Sequence, residues 1–320
     1  MPIQSSRRSL AALAGSALLP AGARAQAAFP DRPIRLVTPY PPGGATSLHA
    51  AIITAVAEPF LGQPMISVIR AGGGGVVGTT EVARAAPDGY TLLFGDPTIN
   101  SLRPQVENLP FKVDDLIPVC RINFAPVIFV ARPDAPFQDF QGMVAWARAN
   151  PNRLVYSSDN VNGLTFTAFE MLKRGANITG RGVDFGGGGP AITNLLGGNT
   201  MAYAGLPAVV GEHIEAGRLK ALAVTAPERL QRFPNVPTCA EAGTPITWLF
   251  WLGVLAPKGT PPDRIAHLSN GFSRLVQDEG FRTLMGRINS SVQFLDHVAF
   301  AAELEREQRE LRELYASLRR

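Results

Sequence analysis

Residues 33–50 read PIRLVTPYPPGGATSLHA, and no other stretch of this 320-residue chain constrains its fold as tightly. The apolar run Ile34–Val37 predicts a strand, Pro41-Pro42-Gly43-Gly44 a turn, and the apolar, Ala-rich run Thr46–Phe60 a helix. A strand, a glycine turn and a helix start in succession leave the first helical N–H groups unpaired. They also aim the positive end of the helix at the same point. That is a ready anion site.

The same alternation runs through the chain. Further strands are predicted at Met65–Ile69, Thr91–Phe94, Val127–Val130, Leu154–Ser157, Leu219–Val224 and Gly253–Ala256. Further helices are predicted at Val76–Ala86, Asp139–Ala149, Thr165–Arg174, Ala191–Leu196, Pro207–Ala216, Pro262–Gln277 and Phe300–Leu318. Short β-rich runs between longer Ala/Leu-rich runs predict an α/β protein with mainly parallel sheets flanked by helices. Polar or glycine-rich turns at Pro41–Thr46, Ser157–Thr165, Gly186–Ala191 and Gly205–Pro207 each join a strand to a helix, and in open α/β sheets ligands sit where such turns converge. Chain crossings are expected at Arg132–Pro136 and between Ala221 and Ala256. They divide the chain into residues 28–125 with 250–320 as one lobe and residues 126–249 as an inserted one. The charged final helix, with Glu303, Glu305, Arg306, Glu307, Arg309, Glu310, Arg312 and Glu313, reads as a solvated surface element.

Residues 1–27 read as an export signal: Arg7 and Arg8, the apolar run Leu10–Leu19, then Ala-x-Ala sites at residues 23–27. Ser6-Arg7-Arg8-Ser9-Leu10 suits a twin-arginine signal, and an ordinary Sec signal with two arginines is the alternative. The expected location is the periplasm. Removing Arg7, Arg8 and Arg24 from 30 Lys+Arg leaves 27 against 26 Asp+Glu, so the basic balance of the full chain implies no acidic partner. No basic stripe interleaved with aromatics speaks for nucleic acid. Cys120 and Cys239 either form a disulfide or stay two separate buried thiols. His49, His213, His267 and His297 are too scattered for a metal site, and none is expected.

Gly73-Gly74-Gly75-Val76-Val77-Gly78 satisfies G-x-G-x-x-G between a predicted strand and helix, with Asp96 where a ribose-binding acid would stand. The pattern falls inside a run of four glycines, where a tight strand-to-helix turn is the simpler reading. There is no G-x-S-x-G, H-E-x-x-H or S-x-x-K, so the chain reads as a non-enzyme without catalytic residues or cofactor.

Five segments taken in order, PIRLVTPYPPGGAT (33–46), ARAAPDGYTLLF (83–94), LKALAVT (219–225), VPTCAEAG (236–243) and LGVLAPKGTP (252–261), resemble the Bug proteins. These form the TctC family, the extracytoplasmic solute receptors of tripartite tricarboxylate transporters. The resemblance spans the chain after its signal. It implies a two-lobed, flytrap-like periplasmic binding protein of type II-like architecture. Such a protein works as a monomer, binds a small carboxylate between its lobes without a chemical step, and delivers it to the membrane subunits of a transporter. A receptor feeding a membrane signalling protein is the alternative. A cofactor-bound exported oxidoreductase, built on the Gly73 pattern, is a more distant one.

On this resemblance the ligand-binding positions are Tyr40, Pro42, Gly43, Gly44, Ala45, Thr46 and Ser47 in the first loop. The second loop supplies Ser158, Asp159, Asn162, Gly163, Thr165 and Phe166. Phe185, Gly187 and Gly205 complete the set. Several of the family's usual residues are replaced: Ser47 stands for an Asp, Asp159 for a Ser, Phe166 for a His, Phe185-Gly186-Gly187 for Tyr-Lys-Gly, and Ala204 for an Asp. Less charge and more apolar surface favour a monocarboxylate with an apolar or aromatic body, contacted by Tyr40, Phe166 and Phe185.

Overall fold

The computed structural model describes residues 29–318, with side chains as far as Arg309; the export signal expected over residues 1–27 lies outside them. Five strands form the first sheet: β1 (Ile34–Thr38), β2 (Met65–Ile69), β3 (Thr91–Gly95), β4 (Leu116–Pro126) and, much later in the chain, β10 (Leu249–Pro257). Their order is β2-β1-β3-β10-β4. The second sheet has the order β7-β6-β8-β5-β9 and contains β5 (Ile128–Ala131), β6 (Val155–Ser158), β7 (Arg181–Asp184), β8 (Ala202–Gly205) and β9 (Lys220–Val224).

The helices of the first sheet's segments are α1 (Ala45–Val56), α2 (Glu58–Leu61), α3 (Val76–Ala83) and α4 (Arg103–Val106). Between strands of the second sheet come α5 (Phe140–Ala149), α6 (Leu164–Ala176), α7 (Gly188–Leu196) and α8 (Pro207–Glu215). After β10 the chain closes with α9 (Pro262–Leu275), α10 (Glu279–Arg287) and α11 (His297–Leu318).

The two lobes expected from the sequence are present, but their sheets are mixed, which corrects the expectation of mainly parallel ones. In each sheet three strands pair parallel, β2-β1-β3 and β7-β6-β8. The remaining pairings, β3-β10-β4 and β8-β5-β9, are antiparallel. The reason is the crossing. β4 runs toward the second sheet and continues almost directly into β5, while β10 returns along β4, pairing from Leu249↔Pro126 to Pro257↔Leu116. Passage between sheets therefore falls at Val127, earlier than the Arg132–Pro136 turn, which follows β5. Thr225 ties the crossing together: its Oγ1 accepts from the Val127 N–H at 2.9 Å and donates to the Trp248 carbonyl at 2.5 Å.

Three strands escape a reading by apolar runs. β4 contains Pro118, Arg121 and Asn123, and its Pro118 is tolerated because β4 is the edge of its sheet. β7 (RGVD) is a polar edge strand, and β8 (AYAG) has no β-branched residue. α10 was also absent from the predicted helices. Cys120 and Cys239 are two free, buried thiols, so of the two readings the separate one holds.

The expectation of a solvated α11 needs correction. Glu305, Arg306 and Arg309 are exposed, but Glu303 ion-pairs with the buried Arg121 at 2.6 Å. Glu307 accepts from Ser101 Oγ at 2.8 Å and from Trp251 Nε1 at 3.0 Å, and burial pushes its pKa up to about 7. Phe300 and Leu304, on the same helix face, pack with Trp251 and Leu255. No helix among the described residues is long and apolar enough to cross a membrane.

Candidate functional site

The carboxyl ends of β1, β3, β6 and β8 meet at one cavity of about 50 Å³, against the roughly 10–15 Å³ that a single water needs. Tyr40 reaches it just after β1, Asp96 just after β3, Asp159 and Asn160 just after β6, and Leu206 just after β8. Both sheets thus contribute, at the place where an open α/β sheet presents a ligand.

Helix starts converge here as well. Gly44, Ala45 and Thr46 bring the first turn of α1, Leu164 that of α6, Gly188 that of α7, and Val209 that of α8. α1 and α7 carry no side-chain cap, and their first residues, Ala45 and Gly188, line the cavity, so leading N–H groups and the positive ends of two helix dipoles lie beside it. α8 is uncapped as well but begins with Pro207, which has no N–H. At α6 the position is filled. Asp159 accepts from the N–H of Leu164 through Oδ2 at 3.0 Å and from the N–H of Thr165 through Oδ1 at 3.1 Å.

Two carboxylates share this small space. Asp96 is 1% exposed; its Oδ1 accepts from the N–H of Thr98 at 2.8 Å and of Ile99 at 3.4 Å, while its Oδ2 has no hydrogen-bond partner. Burial pushes Asp96 up to about 6, a shift that the nearby Tyr40 hydroxyl and the Thr98 and Ile99 amides moderate. Asp159 is likewise pushed up to about 6, by burial first, with its bonded amides opposing and the Asp96 charge adding. Tyr40 is raised well above its ordinary value by burial and by Asp96. Tyr203, Leu206, Val209, Leu164 and Phe250 complete an otherwise apolar wall.

Glycine is what lets the two lobes approach. A Cβ on Gly189 would fall inside van der Waals contact of the Pro42 carbonyl oxygen, and one on Gly187 would come within 2.7 Å of Pro41 Cδ. The Gly186–Gly189 run is therefore packed backbone to backbone against the Pro41–Gly44 turn. A third run, Gly73–Gly75, meets the second lobe too: a Cβ on Gly74 would lie 3.0 Å from Asn160 Oδ1. Arg103 Nη1 donates to the Gly73 and Gly74 carbonyls at 2.8 and 2.7 Å. The same guanidinium grips Glu107 with two bonds of 2.9 and 2.6 Å, and Asn162 Nδ2 donates to Glu107 Oε1 at 2.8 Å from the other lobe. This run presents its carbonyls to a cation of the protein itself, the reverse of the N–H cradle a dinucleotide needs. Asp96, its expected ribose acid, belongs to the cavity instead.

Of the positions inferred from the sequence, Tyr40, Gly44, Ala45, Thr46 and Asp159 line the cavity. Pro42, Gly43 and Gly187 lie at the lobe contact. Ser47 Oγ donates to the Gly44 carbonyl at 2.9 Å, Ser158 Oγ to the Asn160 carbonyl at 3.1 Å, and Thr165 Oγ1 to the Ala204 carbonyl at 2.7 Å. Those hydroxyls hold loops in place and do not face the cavity. Asn162 bridges to Glu107, Gly163 precedes α6, and Gly205 has no room for a side chain beside Val210. Phe166 and Phe185, the expected aromatic contacts, lie outside the lining; Phe185 packs against the second lobe's core around Ile192 and Leu195. Tyr203 and Phe250 supply aromatic surface in their place. Sequence reading missed Asp96, Thr98, Asn160, Leu164, Gly188, Tyr203, Leu206, Val209 and Phe250 as site residues, although Asn160, Leu164, Gly188 and Leu206 fall in the turns already singled out. Among the described residues no group of three His, Cys, Asp or Glu is placed to hold a metal.

The family model described as "Tripartite tricarboxylate transporter family receptor" matches residues 51–302. Protein BugT of Bordetella pertussis is 36% identical over 261 residues, covering 78% of each chain. A Pseudomonas protein described by its place in the tcbD-tcbE intergenic region is 34% identical, over 84% of this chain and 82% of its own. Among solved structures, MatC from Rhodopseudomonas palustris with bound malate superimposes with a TM-score of 0.84 at 29% identity, covering 89% of this chain and 99% of its own. The periplasmic binding protein BugD superimposes with a TM-score of 0.85 at 25% identity, covering 90% and 98%.

Proposed function

Since the chain belongs to the tripartite tricarboxylate transporter family of receptors, we propose that it captures a small carboxylate between its lobes and hands it to the membrane subunits of such a transporter. The observation that carries this reading is a cavity lined from both lobes at the carboxyl ends of their strands, onto which the uncapped first turns of α1 and α7 open. A carboxylate there gains N–H donors and two helix dipoles at once. It also bridges the lobes, so its affinity for the closed form exceeds that for the open form and shifts the population toward closure. MatC, with bound malate, is a relative whose ligand is of this class.

The rest of the proposal follows from that role. Residues 1–27 export the chain to the periplasm and are cleaved near residues 25–27, by the twin-arginine or the Sec route. Residues 28–125 with 250–320 form one lobe and residues 126–249 the other, a reading supported by the division of the strands into two sheets. The protein acts as a monomer and performs no chemical step on its ligand.

Thermal unfolding of the mature protein against a panel of carboxylates tests the reading. An acid at about 1,000 times its dissociation constant adds about 4 kcal/mol, a rise in Tm of about 8–16 °C for a chain of this size. A panel of mono-, di- and amino-carboxylates that leaves Tm unmoved would sink it.

A further inference from the structure

On that receptor reading, we propose that the solute is a small zwitterion: its one carboxylate sits on the first turns of α1 and α7, and a protonated nitrogen donates to Asp96 Oδ2 and Asn160 Oδ1. The cavity offers anion sites and acceptors side by side. α1 and α7 are uncapped helix starts; α8, also uncapped, opens with Pro207, which has no N–H, and α6 is already occupied by the Asp159 carboxylate. A second ligand carboxylate directed at α6 would meet Asp159 itself. A dicarboxylate is thereby excluded from half of the cavity by like charge.

Two acceptors wait for a donor. Asp96 is 1% and Asn160 4% exposed, both line the cavity, and neither Asp96 Oδ2 nor Asn160 Oδ1 has a partner. Buried acceptors are nearly always bonded, so an orphaned pair in a binding cavity marks where a ligand supplies hydrogens. No Lys, Arg or His lines the cavity to balance the two carboxylates. The cation closest in role, Arg103, is consumed by Glu107 and by the Gly73 and Gly74 carbonyls. An ammonium on the ligand satisfies Asp96, offsets the local charge and leaves the carboxylate for the helix starts. Leu164, Leu206 and Val209 give a short aliphatic spacer an apolar wall.

Isothermal titration of the mature protein with matched pairs tests this: 4-aminobutyrate against butyrate, β-alanine against propionate, with succinate and glycine betaine alongside. The amino member of at least one pair is expected to bind ten or more times tighter than its deaminated partner. Glycine betaine, a zwitterion whose quaternary nitrogen carries no N–H donor, is expected to bind weakly. In Asp96→Asn, checked for folding by circular dichroism, the preference within the pair is expected to fall at least tenfold. Equal binding within every pair, or succinate as the tightest ligand, overturns the zwitterion and leaves the receptor reading standing. Silence from every acid overturns both.

Discussion

α1 and α6 begin alike and end up doing opposite things. Each starts after a glycine with extended backbone, Gly44 at φ −85°, ψ 168° and Gly163 at φ −84°, ψ −174°, and neither glycine can cap its helix. At α1 the leading amides remain open to the cavity. At α6 the Asp159 carboxylate, a few residues upstream, has taken them. Equal backbone geometry yields an open helix start in one lobe and a self-satisfied one in the other. What a helix start binds is thus decided by the loop before it as much as by its dipole.

The largest expected effect comes from keeping the open start away from its partner. In Gly189→Val a side chain would meet the Pro42 carbonyl, so α7 cannot close on the α1 turn. Affinity for the cognate acid is expected to fall at least 100-fold, about 2.7 kcal/mol, with little change in the unliganded Tm. Titration calorimetry reads the loss, and near-wild-type affinity would show that closure does not require this contact.

Asp96, on the lobe of the open start, carries charge that no cation balances. Folded, it keeps its proton to about pH 6, whereas its ordinary value is 3.8. Between these values the folded protein holds the extra proton. This carboxyl's contribution to stability therefore declines as pH rises from about 4 to about 6, and stays low above. Asp96→Asn should match the wild type near pH 4 and exceed it by about 3 kcal/mol near pH 7, given 1.36 kcal/mol per pKa unit. Urea unfolding across that range measures the gap, and a gap independent of pH would refute the assignment. Such a gain in stability against a loss of function is expected of binding sites that keep unpaired buried groups.

A smaller change would make the two starts alike. Asp159→Ser empties the α6 position and removes a carboxylate from the cavity, so succinate should gain about tenfold, or about 1.4 kcal/mol, over the wild type. If the variant's affinity for succinate does not move, Asp159 is not what excludes the second carboxylate.

Most helices and strands were legible because each rests on local pattern, α10 being an exception. Met65–Ile69 was bounded in the sequence as it folds, and the Pro41–Gly44 turn announced the start of α1. β8 was not legible: Ala202–Gly205 is a short central strand whose partners, β6 and β5, lie far from it in the chain. The acidic half of the site was legible only in part. Asp159 stood among the inferred ligand positions and lines the cavity, whereas Asp96 stood out in the sequence only as the acid of a dinucleotide pattern. Phe166 and Phe185 looked like ligand contacts, yet neither lines the cavity, and Tyr203 and Phe250 do.

By itself the sequence determined where strands stop and helices begin, and hence where unpaired N–H groups would lie, because these depend on periodicity, caps and glycine within a few residues. Only the tertiary structure decided which of those ends face one another. Long-range strand pairing and the backbone contact between two glycine runs place Asp96, Asn160 and Asp159 around one small volume. The shifted carboxylates and unpartnered oxygens arise there because desolvation and charge coupling depend on distance through space, which residue order along the chain does not record.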